Sequence, residues 1–408
     1  MSKKRVLLFT MGNWSHSNEA LVKALHERSP DWEIQTIDLL QLYKRNKRGL
    51  FFSLLDLPAI LWRGLVERGL DKTSILYAPA TSRFINRLAC QQVEKLKPDF
   101  TMQTTTRFNA CNTGVPHFTI IDITVASARQ CYRNLFNSTD HALNILDSFQ
   151  HKVYTNSNGV FSMGGYVRDS VVTDYQVAPY RAFSMGAGPN IKLGERSRVA
   201  ASRRILFVGT DWIRKGGPDL VAAFKRVRKQ HPDAELDIIG CSPEIQEPGI
   251  NIIGRVPRDE LHRYFTKARM FVLPTVHEAF GIVFVEALHF GLPIIATSVG
   301  AIPEMVQHEV NGYRIKPGDV EALSNAMSQL LASDPLAEQF GEASYRHAIN
   351  FSWETAADVL VDKISMLLDH DRLMSRPGRS SRDNEVFQGS AQAAPGASSS
   401  VPQQAEAA

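Results

Sequence analysis

Phe271 to Val306 reads FVLPTVHEAFGIVFVEALHFGLPIIATSVGAIPEMV, and this stretch decides the fold. With Met270 ahead of it, it opens as a short apolar run closed by Pro274, the pattern of a strand buried on both faces of a parallel sheet. A loop follows, Gly281 opens an apolar helix running to about Phe290, and Gly291-Leu292-Pro293 turns the chain into a strand over Pro293–Thr297. Glu278 falls in the loop and Glu286 inside the helix, about 7–8 Å from its start at ~1.5 Å per residue. The start of such a helix turns N–H groups and the positive end of its dipole into the crevice at the strand C-termini. A phosphate or diphosphate would rest there, on the amides near Gly281, Ile282 and Val283, with Gly281 permitting close backbone approach. From that point Glu286 reaches a ribose hydroxyl pair on one side, and Glu278 a sugar hydroxyl on the other. Two glutamates at this spacing also arise as solvated side chains near a helix start, so the context has to carry the weight.

Further upstream, Phe207-Val208-Gly209-Thr210-Asp211-Trp212-Ile213-Arg214-Lys215-Gly216-Gly217-Pro218 reads as a strand, a tight loop and a Pro-initiated helix. That arrangement delivers a cation to a phosphate. Lys215 held about 4 Å from a phosphate would gain a few kcal/mol at an effective dielectric near 20. Arg214, its neighbour, faces either the ligand or solvent.

Strand–helix alternation extends in both directions and argues for parallel βαβ units. In the first half, strands are expected at Val6–Thr10, Glu33–Ile37, Phe100–Gln103, His117–Ile121 and Gly159–Phe161, with a helix over Asn18–Arg28. In the second, strands are expected at Arg204–Gly209, Glu235–Gly240, Asn251–Val256 and Met270–Pro274, with helices over Pro218–Gln230, Arg258–Ala268, Gly281–Phe290 and Val320–Ala332. The expected organisation is an acceptor-binding domain over 1–190, a basic polar linker over 191–203 and a nucleotide-binding domain over 204–350. A closing helix over 351–371 crosses back to the first domain. Beyond it, 372–408 is rich in Ser, Gly, Pro, Ala and Gln and is expected to be disordered.

The 408 residues are 44% apolar and 22% charged, which suits a globular chain and excludes a fibrous one. A net charge of +4 is too small to imply nucleic acid. It is unevenly spread: residues 1–190 hold 22 Lys and Arg against 15 Asp and Glu, a net +7, so the front half suits an anionic partner such as a headgroup surface or a phosphorylated acceptor. Lys44, Arg45, Lys47 and Arg48 lead into Leu50-Phe51-Phe52-Ser53-Leu54-Leu55 and on to Trp62 and Arg63, a pattern for an interfacial helix or, equally, for core with a basic rim. Cys90, Cys111, Cys131 and Cys241 are scattered without zinc or disulfide spacing, which points to a reducing compartment. The localisation expected is cytoplasmic, or peripheral on the inner face of a membrane.

Taken together, the Gly209…Lys215-Gly216 element, Gly254-Arg255-Val256, Pro274…Glu278-x7-Glu286, Gly291-Leu292-Pro293 and Gly300…Pro303-Glu304 resemble the C-terminal half of family 4 retaining glycosyltransferases, over about Arg204–Leu331. The resemblance implies the GT-B fold, an α/β architecture of two Rossmann-like domains facing an interdomain cleft. By position it implies Lys215 on the donor phosphate, Glu278 on the transferred sugar and Glu286 on the ribose. It also implies the backbone of Phe280, Gly281, Ile282 and Val283 along the phosphates, and Arg255 and Val256 at the base. Gly12 stands in the loop after the first strand, where such enzymes bring a glycine near the donor. Two positions depart from the pattern. Thr210 follows Gly209 where many members carry arginine, which leaves Arg214 to supply the second charge. Asp122 stands where many carry a histidine, and would orient a sugar or acceptor hydroxyl or cap the following helix.

The activity expected is transfer of a sugar from a nucleotide diphosphate sugar to a saccharide or lipid-linked acceptor, without a cofactor. No Asp-x-Asp pair is expected anywhere in the chain, so divalent-metal coordination of the diphosphate is not expected either. Sugar phosphorolysis or epimerisation in the same pocket, and a non-catalytic nucleotide-binding subunit, are the alternatives.

Overall fold

The computed structural model describes residues 3–12, 17–46, 79–111, 113–131, 140–197, 199 and 202–374. Of the interfacial segment expected from Lys44 to Arg63, Lys44 and Arg45 end the helix Leu39–Arg45 and residues 47–63 lie outside the described residues; of the tail expected from 372, residues 372–374 instead continue the helix Trp353–Met374, and the rest lies outside them.

In the first half the strands are β1 (Lys4–Thr10), β2 (Trp32–Asp38), β3 (Phe100–Thr104), β4 (His117–Ile121), β5 (Gly159–Ser162) and β6 (Ala182–Ser184). They alternate with α1 (Asn18–Arg28), α2 (Leu39–Arg45), α3 (Pro79–Leu96), α4 (Val125–Cys131), α5 (Asp140–Asn156) and α6 (Gly165–Thr173). The strands pair in the order β2-β1-β3-β4-β5-β6, every neighbour parallel. Strands β3, β4 and β5 are buried along their whole length, as strands covered on both faces by helices must be.

The second half repeats the scheme with β7 (Arg204–Val208), α7 (Gly217–Gln230), β8 (Glu235–Ile239), β9 (Ile250–Gly254), α8 (Arg258–Lys267), β10 (Met270–Leu273), α9 (Ile282–His289), β11 (Ile294–Thr297), the short α10 (Ile302–Met305), β12 (Gly312–Ile315), α11 (Val320–Ala332), α12 (Asp334–His347) and α13 (Trp353–Met374). Its sheet runs β12-β11-β10-β7-β8-β9, also parallel throughout. Read from β9, this is the doubly wound dinucleotide-binding order, whose direction reverses between β7 and β10.

Some expected boundaries move, each for a local reason. The strand expected to reach Val256 stops at Gly254, whose φ of +75° turns the backbone out of the ladder. Gly281 is the cap of α9 and not its first residue, with φ +90°. The stretch expected as a linker is no free tether. Ile191 and Val199 are buried, the Ser197 amide donates to Phe290 O at 2.9 Å, and Arg196 pairs with Glu342 at 2.5 Å, so this segment is packed on the second domain. The final helix α13 packs across α1, with Arg28 paired to Asp358 at 3.3 Å, and presses Leu367 against Gly159 of β5.

Candidate active site

The reversal between β7 and β10 opens a crevice at their C-terminal ends, and two loops leave the sheet there. From β7 the chain runs through Gly209 to Lys215 and enters α7 at Gly216, which caps the helix with φ +74°. Only glycine fits at 216: a Cβ there would stand 2.0 Å from the carbonyl oxygen of Pro274, at the end of β10. The close approach joins the two loops, and the Val276 amide donates to Arg214 O at 2.8 Å across them. As a result Lys215 Nζ donates to Glu278 Oε2, both side chains about nine-tenths buried.

Glu278 is held from the other side by Gly300, with φ +55°. A Cβ at 300 would lie 1.9 Å from the Glu278 carbonyl oxygen. Beyond Glu278, Gly281 opens α9, so the first amides of that helix point into the crevice with the positive end of the dipole.

These elements enclose a cavity of about 390 Å³. It brings together ten of the residues expected from the sequence: Asp122, Gly209, Arg214, Lys215, Glu278, Phe280, Gly281, Ile282, Val283 and Glu286. Gly12, Arg255 and Val256 are not on its wall. The Gly12 amide donates instead to Asp38 at 3.3 Å, and Gly12 O accepts from Asn18 at 3.2 Å. Arg258, at the start of α8, reaches the cavity in place of Arg255. Asn190 and Met163 also line it without having been expected. Arg214 closes a side, pairing with Asp211 at 3.3 Å and donating to His277 O at 3.1 Å.

Glu286 lies on the buried face of α9, 6% exposed, and accepts a 3.2 Å hydrogen bond from the Asn190 amide. Burial pushes its carboxyl up to about 7, against the pull of the Asn190 amide and the Arg258 charge. Folding therefore favours the protonated acid. That stability is complete below the ordinary value near 4.5 and is lost as pH rises through about 7. Replacing Glu286 by Gln should stabilise the protein relative to the parent at pH 8 by about 3 kcal/mol and leave little difference at pH 4. Paired melts at both pH values check this; a parent–variant difference independent of pH would refute the buried acid.

Among the described residues, no group of three or more His, Cys, Asp or Glu side chains is arranged to hold a metal ion. The chain does hold one Asp-x-Asp, Asp369-His370-Asp371, which corrects the expectation of none. It sits near the end of α13, where Asp371 accepts from Asn158 at 2.8 Å. Asn158 precedes β5, so the pair lies at the N-terminal edge of the first sheet, away from the strand C-termini that form the crevice. No described helix is long and apolar enough to cross a membrane.

Residues 195–347 match the model of the family described as glycosyl transferases group 1. This region belongs to that family. The chain is similar to the D-inositol 3-phosphate glycosyltransferase of Corynebacterium diphtheriae, 28% identical over 47% of this chain and 52% of the relative. It is also similar to the GDP-mannose-dependent alpha-(1-6)-phosphatidylinositol monomannoside mannosyltransferase of Mycobacterium tuberculosis, 27% identical over 58% of this chain and 64% of the relative. The matches thus span about half to two thirds of these curated relatives. Among solved structures, sucrose-phosphate synthase of Thermosynechococcus elongatus superimposes with a TM-score of 0.65 at 16% identity, over 90% of this chain and all of the other. Anabaena HepE in complex with UDP and glucose gives 0.62 at 14%, over 89% and 99%. At such identities the likeness establishes the fold, which is GT-B: two Rossmann-like domains, with the group 1 region forming the second.

Proposed function

We propose that the chain is a retaining glycosyltransferase that moves a hexose-like unit from a nucleotide diphosphate sugar to a saccharide or lipid-linked acceptor. The observation that carries this reading is the convergence of Lys215, Glu278, the start of α9 and the buried Glu286 on one cavity, which Asp122 and Met163 of the first domain also line. Lys215 and the amides from Gly281 to Val283 hold the diphosphate. Glu286 takes the ribose hydroxyls, and Glu278 a hydroxyl of the transferred sugar. Names of the relatives that include GDP-mannose, and a neighbour solved with UDP and glucose, support a donor of this class.

Transfer breaks the bond from the anomeric carbon to the diphosphate oxygen and forms one to the acceptor oxygen on the same face. The acceptor's proton passes to the departing phosphate oxygen. Charge developing on that phosphate is met by Lys215 and the helix dipole, already in place before reaction. Closing the cleft between the domains excludes the water that would hydrolyse the donor.

The test is a panel of labelled UDP and GDP sugars assayed for transfer and slow hydrolysis, with and without EDTA, the product anomer read by NMR. Retained configuration, undiminished by EDTA, is expected. Sugar 1-phosphate formed only when phosphate is added would establish phosphorolysis instead. An acceptor at an anionic membrane surface fits the basic first half and the segment from Lys44 to Trp62. Cosedimentation with anionic liposomes should occur at low salt and fade as salt rises; absence of binding at low salt would remove the membrane from the proposal.

A further inference from the structure

Glu304 joins the two domains by a route separate from the chain crossings. It lies on α10, in the second domain, and its Oε1 accepts the amide hydrogens of Gly165 at 2.8 Å and Tyr166 at 3.4 Å. Those residues begin α6 of the first domain, so the carboxylate meets the positive end of that helix. The approach is close. A Cβ on Gly164 would stand 2.9 Å from the Cβ of Ala301. From behind, His347 Nε2 bonds the Glu304 carbonyl oxygen at 2.8 Å.

The same turn supports Glu278. Ala301 N donates to Ala279 O at 3.4 Å, and Gly300 packs on the Glu278 carbonyl. On the other side of the contact, Met163 precedes Gly164 directly and lines the cavity. The segment 300–304 is therefore wedged between the first domain's α6 and the backbone that presents Glu278 to Lys215.

We propose that Glu304 is a positioning residue: it latches α6 to the loop of Glu278, so that closing the domains and setting the Glu278–Lys215 pair for transfer are one event. The latch touches none of the groups assigned to the nucleotide, which predicts an effect on turnover with little on donor affinity.

Two variants remove it from opposite sides. Glu304→Gln keeps the shape and removes the charge. Gly165→Pro removes the amide hydrogen at a first helical position, where proline is favoured, after a Gly164 already extended at φ −110° and ψ 150°. With UDP or GDP as the probe, both variants should bind within about twofold of the parent and melt as folded proteins. Small-angle scattering with saturating UDP or GDP should give a larger radius of gyration than the parent. Turnover should fall at least tenfold while KM for the donor stays within about twofold, and the double variant should be no slower than the worse single one. A radius of gyration equal to the parent's in both variants overturns the latch. So does unaltered turnover in both. The kinetic arm rests on the proposed transfer reaction and the scattering arm does not; a parent that transfers no sugar would sink that reaction and leave the latch to be decided by scattering.

Discussion

Replacing Glu278 by Gln should reduce sugar transfer by about 10²-fold or more while leaving bare nucleoside diphosphate bound as tightly as before, or tighter. The sign follows from the ion pair. In the resting site Glu278 holds Lys215 Nζ, with both side chains about nine-tenths buried. The glutamine keeps the shape and a hydrogen bond, removes the negative charge, and frees the lysine for the diphosphate. In the proposed reaction, what is lost is a carboxylate facing the sugar as positive charge develops on it, and removal of one preorganised group of this kind costs about 10²–10³ in rate. Calorimetry with UDP and GDP, beside turnover, separates the two effects. Weaker nucleotide binding in Glu278→Gln would place this side chain on the nucleotide.

The second expectation is the mirror image. Lys215→Met should weaken nucleoside diphosphate binding by about 1.5–3 kcal/mol, the value of a charge-assisted hydrogen bond. It should slow transfer too, because in the proposed reaction the same cation meets the departing phosphate. It also leaves Glu278 buried without its partner, and an uncompensated buried charge can cost about 3–5 kcal/mol of stability. Wall exposure to the cavity will lower that figure. The double variant Lys215→Met with Glu278→Gln should regain stability without regaining affinity. Restored affinity in the double variant would show that Lys215 acts only by neutralising Glu278.

The two partners of that pair were legible because each belongs to a local pattern. Lys215 precedes a glycine-capped, Pro-started helix, and Glu278 follows a buried strand. Helices α1 and α11, and strand β4, likewise keep the limits that their periodicity predicts, Asn18–Arg28, Val320–Ala332 and His117–Ile121. Edge strands β6 and β12 are of another kind. Three residues, Ala182–Ser184, and four, Gly312–Ile315, are too short to show alternation, and exist as strands because β5 and β11 offer them an edge. Asn190 reaches Glu286 through a backbone amide, which any residue but proline could supply, so no residue type announces it. Arg258 follows Pro257 at a helix start and could have been suspected from that position; Met163 lines the cavity from just after β5, where its amide donates to Ile121 O, and no sequence pattern marks it.

The last helix has a consequence for how such a chain is made. Leu360, Ile364 and Leu367 of α13 complete the apolar packing around α1 and β5, more than a hundred and sixty positions after β6 has left the ribosome. During synthesis the first sheet emerges with every strand present and with that face still open to water. The whole second domain must be translated before its cover arrives. The first domain to be synthesised is therefore the last to be finished, and the second domain, whose helices all lie between its own strands or directly behind them, can mature ahead of it.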